Sequence, residues 1–344
     1  MTQSARRIVT ERPLNAEFAP DALAEPLTPI GAFFVRCHFD VPSPEAVDAI
    51  EIAGDVARPQ RFDLRELRAA GPERELVVTM ECAGNSRSSF EPRPPGTPWG
   101  DGAVSTARYA GTPLRRILER AGVTPEATGF VFTGADRGTT RSGRTEPYAR
   151  FLSREDALHD DVLLAWEMNG APLPSEHGAP VRLLVPGWYG MASVKWLARI
   201  EATHLPFRGF FQVDDYVFRD HPELPDDTPV TRIAPNSRVL APAAGETVAA
   251  GEHEISGVAW SGHGPISRVE IRFDGGDWIE AELLEDSSSY SWRRWRIRHE
   301  LPEGDHEIRT RATDARGGTQ PERAPWNGLG YVQNSIRVHR ISAR

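Results

Sequence analysis

Cysteine is scarce in this sequence: Cys37 and Cys82 are the only two thiols among 344 residues. Two cysteines exclude a disulfide-rich scaffold, and without a Cys-x-x-Cys pair nothing indicates a zinc site or a redox dithiol. So few thiols are typical of proteins from a reducing compartment, and we therefore expect a cytoplasmic location.

Long apolar runs and an excess of positive charge are also missing. No stretch reaches the ~18 apolar residues needed to span a membrane, and the Arg6-Arg7 pair is not followed by the apolar segment of an export signal. The formal net charge of −9 disfavours nucleic acid as a partner. We expect no membrane or nucleic-acid binding, although a local positive pocket remains compatible with an acidic chain.

The chain is long enough for two domains, and its pattern changes near residue 230. Residues 1–30 are interpreted as an extended arm. Residues 31–232 mix short strands and helices, including a predicted amphipathic helix over 112–122. Residues 233–344 show short alternating runs separated by glycine turns, which predict an immunoglobulin-like β-sandwich. The predicted fold class is α+β, a mixed α/β domain followed by this sandwich.

Three segments combine cations or a thiol with glycine-rich turns, namely residues 33–39, 81–90 and 176–196. Cys82 lies where a predicted buried strand enters an Ala-Gly-Asn turn, the kind of loop that presents a side chain to a site. From spacing alone, the better interpretation of Cys82 is a small buried residue. A metal-ligating thiolate and a hydrolase nucleophile with His177 as its base stay open.

Taken together, these segments resemble the molybdopterin domain of the sulfite oxidase family, which also includes plant nitrate reductases. The family's signature at its molybdenum-binding cysteine, Cys-Ala-Gly-Asn, is present at residues 82–85. Further similar segments follow in the family's order, at residues 99–118, 165–187 and 193–200. The β-rich tail, with Trp-Asn-Gly-Leu-Gly-Tyr at 326–331, resembles the family's immunoglobulin-like dimerisation domain. The similarity extends from about Leu14 to Val338.

The resemblance implies a molybdenum–molybdopterin cofactor, with Cys82 as the protein ligand to the metal. The catalytic residues that it implies are Cys82, Arg36, Arg87 and Tyr148. The cofactor-binding residues that it implies are Arg36, His38, Asp136, His177, Arg182, Ser193, Val194 and Lys195. Guanidinium and ammonium groups suit the phosphate of such a cofactor, which agrees with the cations in this set.

Three positions depart from the family pattern. Leu329 stands where sulfite oxidases carry a substrate-pocket arginine, Ser86 where arginine is frequent, and Cys37 where asparagine is frequent. A pocket with fewer cations binds sulfite less well, and we therefore expect sulfite oxidation to be measurable but inefficient.

The implied activity is oxygen-atom transfer, most simply the oxidation of sulfite to sulfate. We expect a bacterial-type enzyme without a cytochrome b5 domain, which passes electrons to a separate acceptor such as a cytochrome, and a homodimer formed through residues 233–344. The reverse reaction, reduction of an S-oxide, N-oxide or nitrate at the same centre, stays open. A non-catalytic β-sandwich binding protein is the remaining alternative, and it requires the cations of the matched segments to be coincidental.

Overall fold

A computed structural model of the chain describes residues 6–18, 25–284 and 288–344. Its N-terminal part is a small antiparallel sheet of three strands in the order β1-β2-β3. The strands are β1 (Arg7–Thr10), β2 (Asn15–Glu17) and β3 (Val35–Arg36). Asn15 pairs with Arg36 in this sheet. The segment interpreted as an extended arm therefore pairs with the strand that carries a predicted site residue; residues 1–5 and 19–24 of that segment lie outside the described residues.

The first domain contains two five-stranded sheets, β11-β10-β7-β6 with β12 also paired to β10, and β5-β4-β13-β8-β9. Its strands are β4 (Ile50–Gly54), β5 (Gln60–Phe62), β6 (Arg74–Glu81), β7 (Val104–Pro113), β8 (Gly129–Thr139), β9 (Thr145–Ser153), β10 (Leu163–Met168), β11 (Ala171–Pro172), β12 (Arg182–Leu184) and β13 (Leu197–Thr203). Its short helices are α1 (Leu64–Arg68), α2 (Leu114–Ala121), α3 (Arg154–Ala157) and α4 (Phe210–Val213).

Helix α2 forms where the amphipathic pattern predicts a helix. Pro113 precedes the first turn, where its missing N–H leaves no bond unmade. The helix buries Leu114, Ile117 and Leu118 on one face. It ends at Gly122, whose φ of 68° places it in the left-handed region that glycine adopts without strain. The predicted helix is confirmed.

The second domain is a sandwich of two sheets, in the orders β14-β16-β20-β19 and β15-β22-β21-β17-β18. Its strands are β14 (Asn236–Ala241), β15 (Thr247–Val248), β16 (Gly251–Trp260), β17 (Ile266–Phe273), β18 (Ile279–Glu280), β19 (Glu282–Leu283), β20 (Arg293–Leu301), β21 (Gly304–Asp314) and β22 (His339–Ala343). Ile255, Val269, Trp295 and Ile308 belong to the core between the sheets. This confirms the predicted α+β class with a β-rich second domain.

The two domains share a buried interface beside the strand that leads to Cys82. The Trp260 indole Nε1 donates to Glu81 Oε2 at 2.8 Å, and Val258 and Trp260 belong to the same apolar cluster as the first domain's core. Residues of both domains therefore pack around the start of the loop after β6, which contains Cys82. Among the described residues, no helix combines the length and the apolarity that crossing a bilayer needs.

Candidate active site

A cavity in the first domain brings together most of the predicted site residues. Nine of the eleven residues in the predicted set line it: Arg36, His38, Cys82, Asp136, Tyr148, His177, Arg182, Ser193 and Lys195. The empty space between its walls, including the mouth that opens to solvent, is ≈ 630 Å³. The residues come from five separate segments, which only the fold brings together.

Cys82 stands at the wall of this cavity, directly after the last residue of β6. Its backbone N–H donates to the Ala103 carbonyl at 2.9 Å, and its own carbonyl accepts from the Asn85 N–H at 2.8 Å, which closes the turn. Burial raises the pKa of the Cys82 thiol, while the positive charges of Arg36 and Arg87 oppose this. A metal that binds here would displace the thiol proton, and these cations favour the resulting thiolate.

Arg36 is the last residue of β3, and His38 lies two residues after it. Arg36 Nη1 donates to Asn15 Oδ1 at 3.1 Å and to the Cys37 carbonyl at 2.8 Å, which fixes the guanidinium. Burial, assisted by the charges of Arg36 and Lys195, holds the pKa of His38 well below its usual value. His38 is therefore a neutral imidazole at physiological pH.

Tyr216 is a cavity residue that the sequence reasoning missed. Its hydroxyl lies 2.6 Å from His38 Nε2, and the ring also lines the cavity. Burial raises the pKa of the phenol, so it remains protonated and can donate a hydrogen bond. Tyr148, the tyrosine chosen from the sequence, stacks on His38 with ring centroids 4.6 Å apart. Because the Tyr148 hydroxyl donates to the Met191 carbonyl at 2.7 Å, the Tyr216 hydroxyl is the better placed of the two to act on a ligand.

Another part of the cavity is rich in cations and surrounds His177. Arg182 donates from Nη1 to the His177 carbonyl at 3.1 Å and from Nη2 to the Ser193 carbonyl at 3.0 Å. Lys195 Nζ donates to the Glu176 carbonyl at 2.9 Å and to Cys37 Sγ at 3.1 Å. Burial and the surrounding cations keep the pKa of His177 well below its usual value.

Gly178 allows the His177 loop to pack closely against Lys195. Its φ is 107°, a conformation that residues with a side chain rarely adopt. A Cβ at this position would lie 3.0 Å from the Lys195 Cβ and 3.2 Å from the Arg182 Cβ. Replacing this glycine would therefore displace both cations from the cavity wall.

The charges of the cavity fit an anionic cofactor. No salt bridge within 4.0 Å involves Arg36, Arg182 or Lys195 in the part of the chain that the structure describes, so buried positive charge is left without a paired carboxylate. Asp136 Oδ1 is buried and has no hydrogen-bond partner among the described residues. The phosphate of molybdopterin would bind to the cations, an N–H of its pterin ring would supply the donor that Asp136 lacks, and its metal would bind to Cys82.

Two members of the predicted set do not line the cavity. Arg87 donates from Nε to the Leu329 carbonyl at 3.1 Å and from Nη1 to the Thr97 carbonyl at 3.0 Å, so its guanidinium binds backbone, although its charge still acts on Cys82. The Val194 side chain belongs to the apolar core. Its N–H and carbonyl bind Ala192 and Leu183. Direct contact of either side chain with the cofactor is not supported by this geometry.

The three positions that depart from the family pattern have identifiable surroundings. The Leu329 side chain packs against the apolar core and does not line the cavity. Ser86 Oγ donates to Asp101 at 2.6 Å and accepts from Arg238 Nη2 at 3.2 Å, so a cation of the second domain lies beside it. Cys37 is fully buried and accepts from Lys195.

Comparison with known proteins agrees with both domains. The model of the oxidoreductase molybdopterin binding domain matches residues 38–211, and that of the Mo-co oxidoreductase dimerisation domain matches residues 228–343. The chain is 37% identical to sulfite oxidase of Gallus gallus, over 96% of this chain and 76% of that protein. It is 32% identical to nitrate reductase (NADH) 2 of Phaseolus vulgaris, over 95% of this chain and 41% of that protein.

A solved structure shows that the fold is shared along the whole chain. The crystal structure of the sulfane dehydrogenase SoxCD from Paracoccus pantotrophus superimposes with a TM-score of 0.86, covering 99% of this chain and 90% of that chain at 26% identity. The chain spans 66% of the length of mitochondrial sulfite oxidase of Rattus norvegicus, to which it is 36% identical. From its two matched domains and these relatives, the chain belongs to the sulfite oxidase family of molybdenum-cofactor oxidoreductases.

Proposed function

We propose that this protein oxidises sulfite to sulfate and passes two electrons to a separate acceptor. The observation that carries the proposal is the convergence of a cysteine, an arginine and a protonated tyrosine on one cavity wall, at Cys82, Arg36 and Tyr216. When bound, the cofactor supplies the oxygen-atom transfer and accepts the two electrons. Sulfite and water give sulfate, two protons and two electrons, so the reaction balances once an acceptor is present.

The residues of the chain supply binding and orientation for this reaction. Arg36 carries a positive charge, which nearby Tyr216, Cys82 and Asp215 favour, and its guanidinium suits an oxyanion. When the proton of neutral His38 lies on Nε2, the Tyr216 hydroxyl accepts from it and keeps its own O–H to donate to a second oxygen of the substrate. Burial of these groups strengthens their interaction with an anion relative to water.

The alternative function is the reverse reaction, in which the same centre reduces a substrate such as nitrate. One finding favours a test of this alternative. Plant nitrate reductases are among the relatives of this chain, at 32–33% identity. Nitrate, like sulfite, is a small oxyanion, and the Arg36 guanidinium suits it. A sulfane substrate is a further candidate, because the structural neighbour is a sulfane dehydrogenase.

Metal analysis and a substrate panel test the proposal. We expect one molybdenum per chain in the purified protein and reduction of an artificial electron acceptor on addition of sulfite. Reduced dye should not be oxidised by nitrate or methionine sulfoxide at a comparable rate. Arg36→Gln should raise the KM for sulfite while molybdenum content stays above half of that in the unsubstituted protein. Faster turnover of nitrate than of sulfite would replace this proposal with the reductase alternative.

The second domain is proposed to pair two chains, since residues 228–343 match a dimerisation domain. Neighbouring strands of the sandwich carry solvent-facing charged side chains that make ion pairs, such as Arg311 with Glu270. A homodimer would leave the cavity of each chain separate, because its described lining comes from the first domain.

A further inference from the structure

Arg6, at the start of the described N-terminal segment, reaches the cavity wall. Its Nη1 lies 3.2 Å from Glu176 Oε1, and its Nη2 donates to the Ile30 carbonyl at 2.6 Å. Nη2 also lies 3.2 Å from His177 Nε2. The Arg6 side chain is only 15% exposed, so it is packed against these partners and does not extend into solvent.

Two of these partners, Glu176 and His177, line the cavity. A guanidinium can only donate hydrogen bonds, so His177 Nε2 is the acceptor and the imidazole proton lies on Nδ1. This agrees with the lowered pKa of His177, which keeps the ring neutral. Arg6 thus fixes the tautomer of the His177 imidazole, which lies on the cation-rich wall of the cavity.

The contact with Glu176 has an electrostatic consequence for an anionic ligand. Glu176 lines the cavity, and its carboxylate lies beside Arg6, whose guanidinium also contacts His177. Lys195 binds the backbone carbonyl of the same residue, so the carboxylate belongs to the wall where the cations converge. An unpaired carboxylate there would repel a phosphate group. Paired with Arg6, it contributes little net charge, and the wall remains positive.

The N-terminal segment also contacts a second part of the cavity wall, around Arg36. Asn15 is buried, and its Oδ1 accepts from Arg36 Nη1 and from the Cys37 N–H, each at 3.1 Å. Residues 6–18 therefore hold the wall near Arg36 through Asn15 and the wall near His177 through Arg6. The antiparallel pairing of β1 with β2 links these two contacts.

We propose that Arg6 is a cofactor-retaining residue, which neutralises Glu176 and holds the N-terminal segment across the cavity wall beside the cofactor's phosphate. The proposal rests on the cofactor assignment and on the placement of the phosphate near His177, Arg182 and Lys195. Its consequence is kinetic: bound cofactor leaves slowly while Arg6 is in place and faster when Arg6 is removed.

The test measures release of molybdopterin from purified holoprotein. After dilution and filtration, the pterin that remains bound is oxidised to its fluorescent form and quantified over time. Arg6→Ala should release the cofactor roughly tenfold faster, because a charge-assisted contact is lost and Glu176 is left unpaired. Arg12→Ala is the matched control, since Arg12 is an exposed arginine of the same segment, and its release rate should equal that of the unsubstituted protein.

A double variant separates neutralisation from simple loss of packing. If Arg6 acts by neutralising Glu176, Arg6→Ala combined with Glu176→Gln should release cofactor more slowly than Arg6→Ala alone. Equal release from Arg6→Ala and unsubstituted protein would overturn the proposal, as would a double variant no slower than the single one. Unsubstituted protein that contains no molybdopterin would instead overturn the proposed function, which separates the two failures.

Discussion

Asp136→Asn should stabilise the cofactor-free chain at neutral pH and, at the same time, weaken cofactor binding. Asp136 lies in β8 and is 4% exposed, with Oδ1 lacking a partner among the described residues. Burial raises its pKa from 3.8 to about 6, although the charge of Lys195 opposes the rise. The folded state therefore bears the cost of a poorly solvated carboxylate whenever Asp136 is ionised.

The size of this cost follows from the two pKa values. Each pH unit between 3.8 and about 6 corresponds to about 1.4 kcal/mol, which gives about 3 kcal/mol as an upper estimate for the ionised group. Between these values the folded chain binds more protons than the unfolded chain, so stability falls as pH rises and then levels above about pH 6. By pH 5 the cost should be roughly half of its value at pH 7.5.

Urea unfolding of the apo chain measures this directly. Asp136→Asn should raise the free energy of unfolding by about 1–3 kcal/mol at pH 7.5, and by roughly half as much at pH 5. The Asn variant should also retain less molybdopterin if the unpartnered Asp136 Oδ1 accepts from the pterin, because an amide then replaces that carboxylate. Asp277→Asn, at an exposed carboxylate of the second domain that makes no ion pair among the described residues, is the control, and its effect on stability should not depend on pH. A variant that is less stable at pH 7.5, or a gain independent of pH, would refute the reasoning.

Four further predictions address the metal, the phosphate, the substrate and the assembly. Cys82→Ser should fold normally but lose turnover, because an alkoxide is a poor substitute for a soft thiolate; near-normal sulfite-dependent dye reduction would exclude Cys82 as the ligand. Lys195→Ala should lower cofactor occupancy with little change in apo Tm, whereas Arg182→Ala should lower both, since Arg182 also joins two backbone carbonyls; unchanged pterin content in both would contradict their role. Leu329→Arg should lower the KM for sulfite by roughly one to two orders of magnitude if an arginine there reaches the substrate, and an unchanged KM would show that it does not. Light scattering at micromolar concentration should give the mass of two chains, and a monomer would defeat the assignment of residues 233–344 to dimerisation.

Local sequence patterns predicted much of the fold because they report burial directly. The apolar run before Cys82 forms β6, whose last four residues are buried, and the amphipathic spacing between Pro113 and Gly122 forms α2. The alternation beyond residue 233 forms a sandwich, since a period of two places one side of each strand in the core. The residues of the cavity were predicted from the family resemblance instead, because no local pattern indicates that residues 36, 82 and 195 lie together.

Tyr216 and Arg87 show where sequence reasoning was insufficient. Tyr216 lies in the sequence Asp-Asp-Tyr after a short helix, with a φ of 57° that directs the chain toward the cavity, and no periodicity predicts this turn. Arg87 lies five residues after Cys82, at a position where the family resemblance implied a substrate-pocket arginine. The structure instead places its guanidinium against carbonyls of residues 329 and 330, which are distant in sequence. Proximity in sequence does not determine which way a side chain leaves a turn.

The contacts of the N-terminal segment were not predicted, for a related reason, and they add a cation to the cavity wall. Its composition indicated an extended arm, since proline and acidic residues disfavour regular structure, but composition carries no information about what a single arginine contacts. In the fold, the charges of Arg36 and Arg87 act on the Cys82 thiol, and those of Arg6, Arg182 and Lys195 act on His177. Lys195 also acts together with Arg36 on His38. Under the proposed function, this acidic protein would bind an anionic cofactor through the cations near His177 and an anionic substrate through Arg36. A substitution of Arg182 should change mainly cofactor retention, and a substitution of Arg36 should change mainly substrate affinity. Lys195 acts on both His177 and His38, so its substitution should change both measurements.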